Sequence, residues 1–295
     1  MLLLFIIILY LLCATHCVVD GEQSMSKEVA NTYNYIDAYL DDVRSRGRFA
    51  FTLEELKDIF VNNSDKAILQ SLHRLKSKNK IVQVRKGFYT LLPPEYSYQG
   101  IIPTNLFIDD MMKAAEKDYY IGVTSAAAIY GASHQQTMET FVITKKPALR
   151  SIKNNKVKIN FLVKNEWENE DVNHIKTDAG YIKVSSPELT ALDLLYYIER
   201  IGIDRVLTII EELREILKPK KLFKTAKRYN QLAAIQRLGF LLENELNDED
   251  LAQSLYPLIE NKKGANIPLF PGRNKEGEIN NKWRIIKNVT IESDL

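Results

Sequence analysis

The chain has 295 residues, of which 45% are hydrophobic and 26% charged, a composition typical of a globular protein with two or three domains. The formal net charge of +2 excludes a general positive coat for nucleic acid, so any nucleic-acid site must come from a local patch. Four histidines and two cysteines are too few for a zinc cluster of the usual spacing, and we predict neither a metal site nor a bound cofactor.

The chain begins with an apolar leader that is unlike the rest of the sequence. Residues 1–12 are apolar without interruption. A secretory signal would carry a basic residue before its apolar region, but no basic residue precedes Lys27. A short membrane anchor is the alternative. Because Met25 begins a segment typical of a cytoplasmic protein, we expect residues 1–24 to be a mis-assigned start. The chain beyond the leader is cysteine-free, which fits a reducing compartment, so we expect a cytoplasmic protein.

Residues 25–94 have the pattern of a winged helix-turn-helix. Helical spacing over residues 31–46 is followed by a capping box at residues 52–55, which begins a second helix. A polar turn leads into a third helix at Ser64. Two short stretches of alternating pattern then surround Gly87, which permits the positive dihedral angle of a tight hairpin. This ordered set of elements predicts a DNA-binding domain.

The third helix and the hairpin, or wing, carry the side chains that we expect to contact DNA. Ile68, Leu72 and Leu75 share one helix face and are predicted to point inward, so the polar residues between them point outward. Arg suits guanine and Gln suits adenine, whereas Ser and Lys suit phosphates. The candidate DNA-contacting residues are Ser64, Lys66, Gln70, Ser71, Arg74, Lys76, Arg85 and Lys86.

Protein docking is the alternative use of such a domain, since an outward basic residue is commonly just solvated. Two features favour DNA over docking. The tip of the wing is basic, and the pattern predicts no outward apolar residue on the third helix.

The remainder of the chain is predicted to make the whole protein α+β, with a mixed α+β domain over residues 95–186 and a mainly helical region over residues 187–295. In the mixed domain we expect Thr124 and Ser125 to cap an Ala-rich helix. In the helical region we expect one continuous helix over residues 221–246.

A second basic patch falls in the helical region. For such a run a solvated helix face is the default interpretation, and a second nucleic-acid contact is the alternative. The residues of this patch are Lys220, Lys221, Lys224, Lys227 and Arg228.

The sequence lacks the constellations that common enzymes need. A nucleotidyltransferase requires two carboxylates on a strand soon after a Gly-Ser turn, but the strand predicted over residues 140–144 has none. His134 and His174 lack a nucleophile with an orienting partner. Asp193 is expected to cap a helix or form a local salt bridge. We therefore predict that the chain is not an enzyme.

Three segments, taken in order, resemble one family. Residues 85–89, Arg-Lys-Gly-Phe-Tyr, are similar to its basic-Gly-aromatic wing. Residues 120–131 are similar to its Ala-rich helix, and residues 184–195, which include Ser-Pro-Glu-Leu-Thr, to a later helix. The family is that of the AbiEi-type antitoxins of type IV toxin–antitoxin and abortive-infection phage-defence systems. The resemblance covers nearly all of the chain from about Met25.

The resemblance implies a division of labour. The N-terminal domain would bind double-stranded promoter DNA and repress its own operon. The C-terminal region would counteract a toxin that resembles nucleotidyltransferases, without necessarily contacting it. Two alternatives stay open from the residues alone: a winged-helix transcriptional regulator with a ligand- or partner-sensing C-terminal domain, and a catalytic protein with a DNA-binding appendage.

Overall fold

The computed structural model describes residues 35–132, 139–153, 157–262 and 264–291. The chain divides into two compact units between Met111 and Met112. A separate hydrophobic core lies in each unit. The apolar leader and His134 lie outside the described residues. Within those residues, no helix has both the length and the apolar character needed to cross a membrane.

The first unit contains the elements predicted for a winged helix-turn-helix, in the predicted order. They are α1 (Ile36–Ser45), β1 (Ala50–Thr52), α2 (Leu53–Ile59), α3 (Asp65–Ser77), β2 (Ile81–Arg85) and β3 (Phe88–Leu91). After two short 3-10 turns, α4 (Ile108–Ala114) crosses the division between the units. The three strands form an antiparallel sheet in the order β1-β3-β2.

Local sequence signals explain where the helices of the first unit begin. The Thr52 hydroxyl accepts the backbone N–H of Glu55, and the Glu55 side chain accepts the backbone N–H of Thr52, so the predicted capping box is confirmed. Ser64 caps α3 by accepting the N–H of Ala67 at 3.2 Å, and the third helix begins where it was predicted to begin. Gly87 has φ +76°, the left-handed conformation that the wing turn requires.

The second unit is built on a six-stranded mixed sheet in the order β6-β7-β5-β4-β9-β8. The β4–β9 and β5–β7 pairs are parallel, and the other neighbours are antiparallel. The strands are β4 (Tyr119–Ile121), β5 (Thr140–Thr144), β6 (Ile152–Lys153), β7 (Lys158–Val163), β8 (Val172–Thr177) and β9 (Gly180–Ser185). The first helix of this unit, α5 (Val123–Ile129), directly follows β4.

Helices make up most of the remaining chain. They are α6 (Pro187–Tyr196), α7 (Ile198–Ile201), α8 (Ile203–Leu213), α9 (Pro219–Tyr229), α10 (Leu232–Phe240) and α11 (Glu249–Leu255). A π-helical segment, Leu241–Glu245, continues α10. A small sheet of β10 (Ile267–Pro268), β11 (Glu278–Asn280) and β12 (Ile285–Lys287) follows in the order β10-β12-β11. The predicted α+β fold class is confirmed.

The division into units differs from the predicted domain boundaries. The first unit extends past residue 94, because Phe107 packs against Phe88 with ring centroids 6.5 Å apart. Residues 95–186 and 187–295 do not form separate domains after the division. The sheet and the helices share one core, which includes Tyr120 of β4 and Leu189 of α6.

Two predicted helix boundaries were also wrong. The helix expected over residues 221–246 is broken at Asn230, whose φ of +50° ends α9. Thr124 and Ser125 do not cap α5, because Gly122 occupies the cap position and no side chain caps the helix. Instead the Ser125 hydroxyl accepts the N–H of Phe141 at 2.9 Å, which ties α5 to β5.

The C-terminal segment is anchored by one tryptophan. Trp283 is fully buried, and its ring occupies the space where a Cβ of Gly239 in α10 would lie. The indole Nε1 donates to Glu243 Oε2 at 2.6 Å. Glycine is therefore required at position 239 for close packing, although glycine inside a helix is otherwise unfavourable.

We expect Gly239→Ala to lower the free energy of unfolding by about 1–3 kcal/mol, because the added methyl overlaps the indole ring. Alanine in a helix would otherwise add about 1 kcal/mol of stability. Urea unfolding of the full chain measures the effect. Repeating the substitution in a Trp283→Ala background provides the control, since the penalty should disappear there. An equal penalty in both backgrounds would contradict this account of the packing.

Candidate functional site

The predicted DNA-contacting residues of the third helix lie together on the surface of the first unit. Ile68, Leu72 and Leu75 of α3 are buried, as predicted, so the opposite face of the helix is open to solvent. Lys66 and Arg74 are exposed on that face. The face also includes Gln70, Lys76 and the half-buried Ser71.

Internal bonds already orient some of these side chains. An Arg74 Nη donates to the Ser71 hydroxyl at 3.0 Å, and Lys76 Nζ donates to Gln83 Oε1 of β2 at 3.1 Å. Lys76 therefore links α3 to the wing. The Ser64 hydroxyl oxygen is occupied by its capping bond, so only its proton remains to serve a phosphate.

Two residues of this face, Leu69 and His73, were not predicted from the sequence. A shallow depression is lined by Lys66, Leu69, Gln70, His73 and Arg74. Leu69 is 48% exposed, which corrects the expectation that the third helix has no outward apolar residue. The position of Leu69 in the sequence indicates this exposure. Leu69 follows the inward-pointing Ile68 by one residue and is therefore rotated about 100° away from the core.

The wing carries its two basic residues at the tip. Arg85 is the last residue of β2 and pairs with Phe88 across the hairpin, and Lys86 lies in the turn. Both side chains are exposed. Within the described residues, neither has an ion-pair partner.

Several other basic side chains of the first unit form ion pairs with acidic residues. Lys57 pairs with Asp65 at 2.6 Å, and Lys80 pairs with Asp37 at 2.7 Å. Arg48 pairs with Glu55 at 2.8 Å, and the hydrogen bond between them raises the pKa of Arg48. Among the described residues, Lys66 and Arg74 have no acidic partner. The α3 face therefore carries positive charge that no ion pair neutralises.

The second basic patch lies on α9 of the second unit, and its members differ in their surroundings. All five are exposed. Arg228 donates two hydrogen bonds to the buried Asp171, at 2.6 and 3.0 Å, and Lys221 lies 3.9 Å from Glu188. Arg228 and Asp171 thus form an ion pair within the second unit. The side chains without a partner among the described residues are Lys220, Lys224 and Lys227.

The main polar cluster of the second unit was not predicted. Asp193 of α6 is fully buried and accepts hydrogen bonds from three distant side chains. Tyr120 donates to Oδ2 at 2.9 Å, whereas Tyr229 at 2.9 Å and Lys164 at 3.3 Å both donate to Oδ1. The expectation of a local cap or salt bridge was therefore wrong. A carboxylate among the leucines of α6, at a position between Leu192 and Leu194, was the signal that such partners must exist.

Burial sets the protonation of this cluster. It raises the pKa of Tyr120 and Tyr229 well above the ordinary value, and the nearby Asp193 raises them further, so both hydroxyls stay protonated and donate. Burial lowers the pKa of Lys164, an effect that Asp193 opposes. The Lys164 ammonium also lies 3.8 Å from the centroid of the Tyr229 ring.

This arrangement is structural in character. Asp193 accepts hydrogen bonds from three donors, and each of its partners comes from a different element or loop of the second unit. Across the described part of the chain, no group of three or more His, Cys, Asp or Glu residues has the geometry to hold a metal ion. The cluster therefore joins the sheet to α6 and α9.

We expect Asp193→Asn to lower the free energy of unfolding by about 3–5 kcal/mol at pH 7, because Lys164 would lose its counter-charge inside the protein. The loss should shrink toward about pH 10. In the folded variant Lys164 releases its proton, whereas an unfolded lysine keeps its proton up to about 10.4, so stability rises with pH. Urea titrations at several pH values measure both effects.

The control for this prediction is the double variant Asp193→Asn with Lys164→Met, which removes the buried charge. Its stability should depend less on pH than that of the single variant. A pH-independent loss in Asp193→Asn, or no loss, would contradict the account.

Comparison with known proteins agrees with the resemblance read from the sequence. Residues 120–244 match the family model of the AbiEi antitoxin C-terminal domain, a range that contains the whole Asp193 cluster. The crystal structure of the RV2827C protein from Mycobacterium tuberculosis is similar, with a TM-score of 0.61 and 12% identity over 84% of this chain and 89% of that chain. At this identity the likeness concerns the fold alone. No curated protein matches the chain. The part of the chain that contains the Asp193 cluster is thus similar to the AbiEi antitoxin C-terminal domain.

Proposed function

We propose that this chain is the antitoxin of a type IV toxin–antitoxin system and that it represses its own operon by binding promoter DNA. The observation that carries the DNA-binding part is the open face of α3, where Lys66 and Arg74 have no acidic partner among the described residues. This face occurs in the same chain as an antitoxin-family domain. The family match also favours the antitoxin over the two alternatives kept in the sequence analysis.

The dimensions of α3 suit a major groove. The helix has 13 residues and is therefore about 20 Å long, and a helix fits a groove about 12 Å wide. Lys66, Gln70 and Arg74 follow one another at intervals of four residues, or about 6 Å along the axis. Since base pairs are about 3.4 Å apart, these side chains span about four base pairs.

The candidate residues have separate roles in this proposal. Gln70 and Arg74 read base edges, because amide and guanidinium groups form paired hydrogen bonds with adenine and guanine. Lys66, Lys76 and the capping hydroxyl of Ser64 hold phosphates beside the groove, and the Ser71 hydroxyl positions Arg74. Arg85 and Lys86 at the wing tip meet the backbone of the flanking duplex. That division follows from chemistry, since a lysine or a wing-tip arginine attracts any phosphate regardless of sequence.

The second unit carries the antitoxin activity in this proposal. Its target is a nucleotidyltransferase-like toxin encoded beside it, in line with the antitoxin family whose model matches residues 120–244. The chain is not itself an enzyme, and its site of action is the cytoplasm, where its DNA target lies. Both activities then reside in one polypeptide but in different units.

We expect Gln70→Ala and Arg74→Ala to relax sequence discrimination by about 1–3 kcal/mol for each paired contact removed. A gel-shift titration of the full chain against the DNA upstream of its own gene, with scrambled competitor at two salt concentrations, measures this. Wild-type protein should retard the upstream DNA preferentially and lose affinity as salt rises. No preference over competitor would contradict the proposed function.

Wing variants provide the comparison within the same assay. Arg85→Ala and Lys86→Ala should weaken binding to both DNAs alike and reduce the salt slope by about one each. Lys176→Ala, an exposed lysine on β8 of the second unit, is the matched control and should change nothing. A wing variant that alters discrimination but leaves the salt slope intact would contradict the assigned role of the wing.

A further inference from the structure

Leu69 is an exposed apolar residue of the α3 face to which the proposed function assigns no role. It is 48% exposed and lines the shallow depression together with four polar side chains. Lys66 precedes it by three residues and His73 follows it by four, so all three lie on adjacent turns of one face. Leu69 is thus an apolar side chain set within a polar and basic surface.

The chemistry of the surface restricts what Leu69 can contact. The depression contains two cations and an amide, and no carboxylate lines it. A basic surface of this kind complements a polyanion. Leucine has no hydrogen-bonding group, so if it met only polar base edges it would remove them from water without compensation. The major groove of DNA offers one apolar group for such a side chain, the 5-methyl group of thymine.

The position of Leu69 next to Gln70 narrows the target further. Glutamine pairs with the N6 and N7 atoms of adenine, and adenine always lies opposite thymine. Two consecutive helix residues are separated by only about 1.5 Å along the axis. Both side chains also line the same depression, so they reach the same base pair or its immediate neighbour.

We infer that Leu69 is a specificity-determining residue that packs on the 5-methyl group of a thymine, within an A·T step whose adenine is bound by Gln70. This inference rests on the proposed DNA binding by α3. It deepens that function by naming the chemical group that is recognised. A target site then contains an A·T pair whose methyl group contributes to affinity.

Replacing thymine by uracil tests the inference, because uracil keeps the base pairing and lacks only the methyl group. The upstream DNA is amplified with either dTTP or dUTP, and the full chain is titrated against both probes. Wild-type protein should bind the uracil probe about fourfold more weakly, the change expected for one buried methyl-sized group. Leu69→Ala should bind both probes equally.

Leu69→Met and single uracil substitutions complete the experiment. Methionine keeps an apolar side chain of similar volume and should restore the preference for thymine. The single substitutions should place the effect at one position in each binding site. Equal responses of wild type and Leu69→Ala to uracil would overturn the inference while leaving DNA binding intact. No preference of the wild type for the upstream DNA over competitor would overturn the proposed function, and the inference with it.

Discussion

The packing of the second unit depends on the buried carboxylate of Asp193. Asp193 has no exposed surface, and a charge in that position is tolerable only because Tyr120, Tyr229 and Lys164 supply hydrogen bonds and a counter-charge. These partners bring together a strand, the residue that follows β7, and α9. Burial keeps both tyrosines protonated, so the donors are permanent over the ordinary pH range. The cluster therefore fixes how the helices pack on the sheet.

In the first unit, some basic side chains are paired with acidic residues and others are not. Its structural cations are matched one to one with carboxylates, as in the pairs Lys57–Asp65 and Lys80–Asp37. Exposed pairs of this kind contribute little to stability, but they neutralise the charge of the lysines that form them. The face of α3 and the tip of the wing lack that matching among the described residues. Among the described residues, a chain with a formal net charge of only +2 thus carries its unpaired positive charge in local patches: α3 and the wing in the first unit, and Lys220, Lys224 and Lys227 of α9 in the second.

Local signals in the sequence predicted local structure well. The predictions of the cap at Thr52, of the helix start at Ser64 and of the buried stripe of α3 depend only on residues within a turn or two, and all three were correct. The partners of Asp193 were beyond this reasoning, because they lie 29 to 73 residues away along the chain. Leu69 was misjudged for another reason, since a hydrophobic residue in an amphipathic pattern is assigned to the core unless its angular position is examined. The break at Asn230 was missed because no proline or glycine marks it.

In the proposed function, DNA recognition by α3 and antitoxin activity in the second unit are separable. The most direct test expresses the full chain together with its neighbouring gene and measures both growth and a reporter driven by the upstream DNA. The account predicts that a Gln70→Ala, Arg74→Ala double variant releases the reporter from repression and still restores growth as wild type does. Loss of growth rescue together with repression, or repression that persists in the double variant, would contradict it.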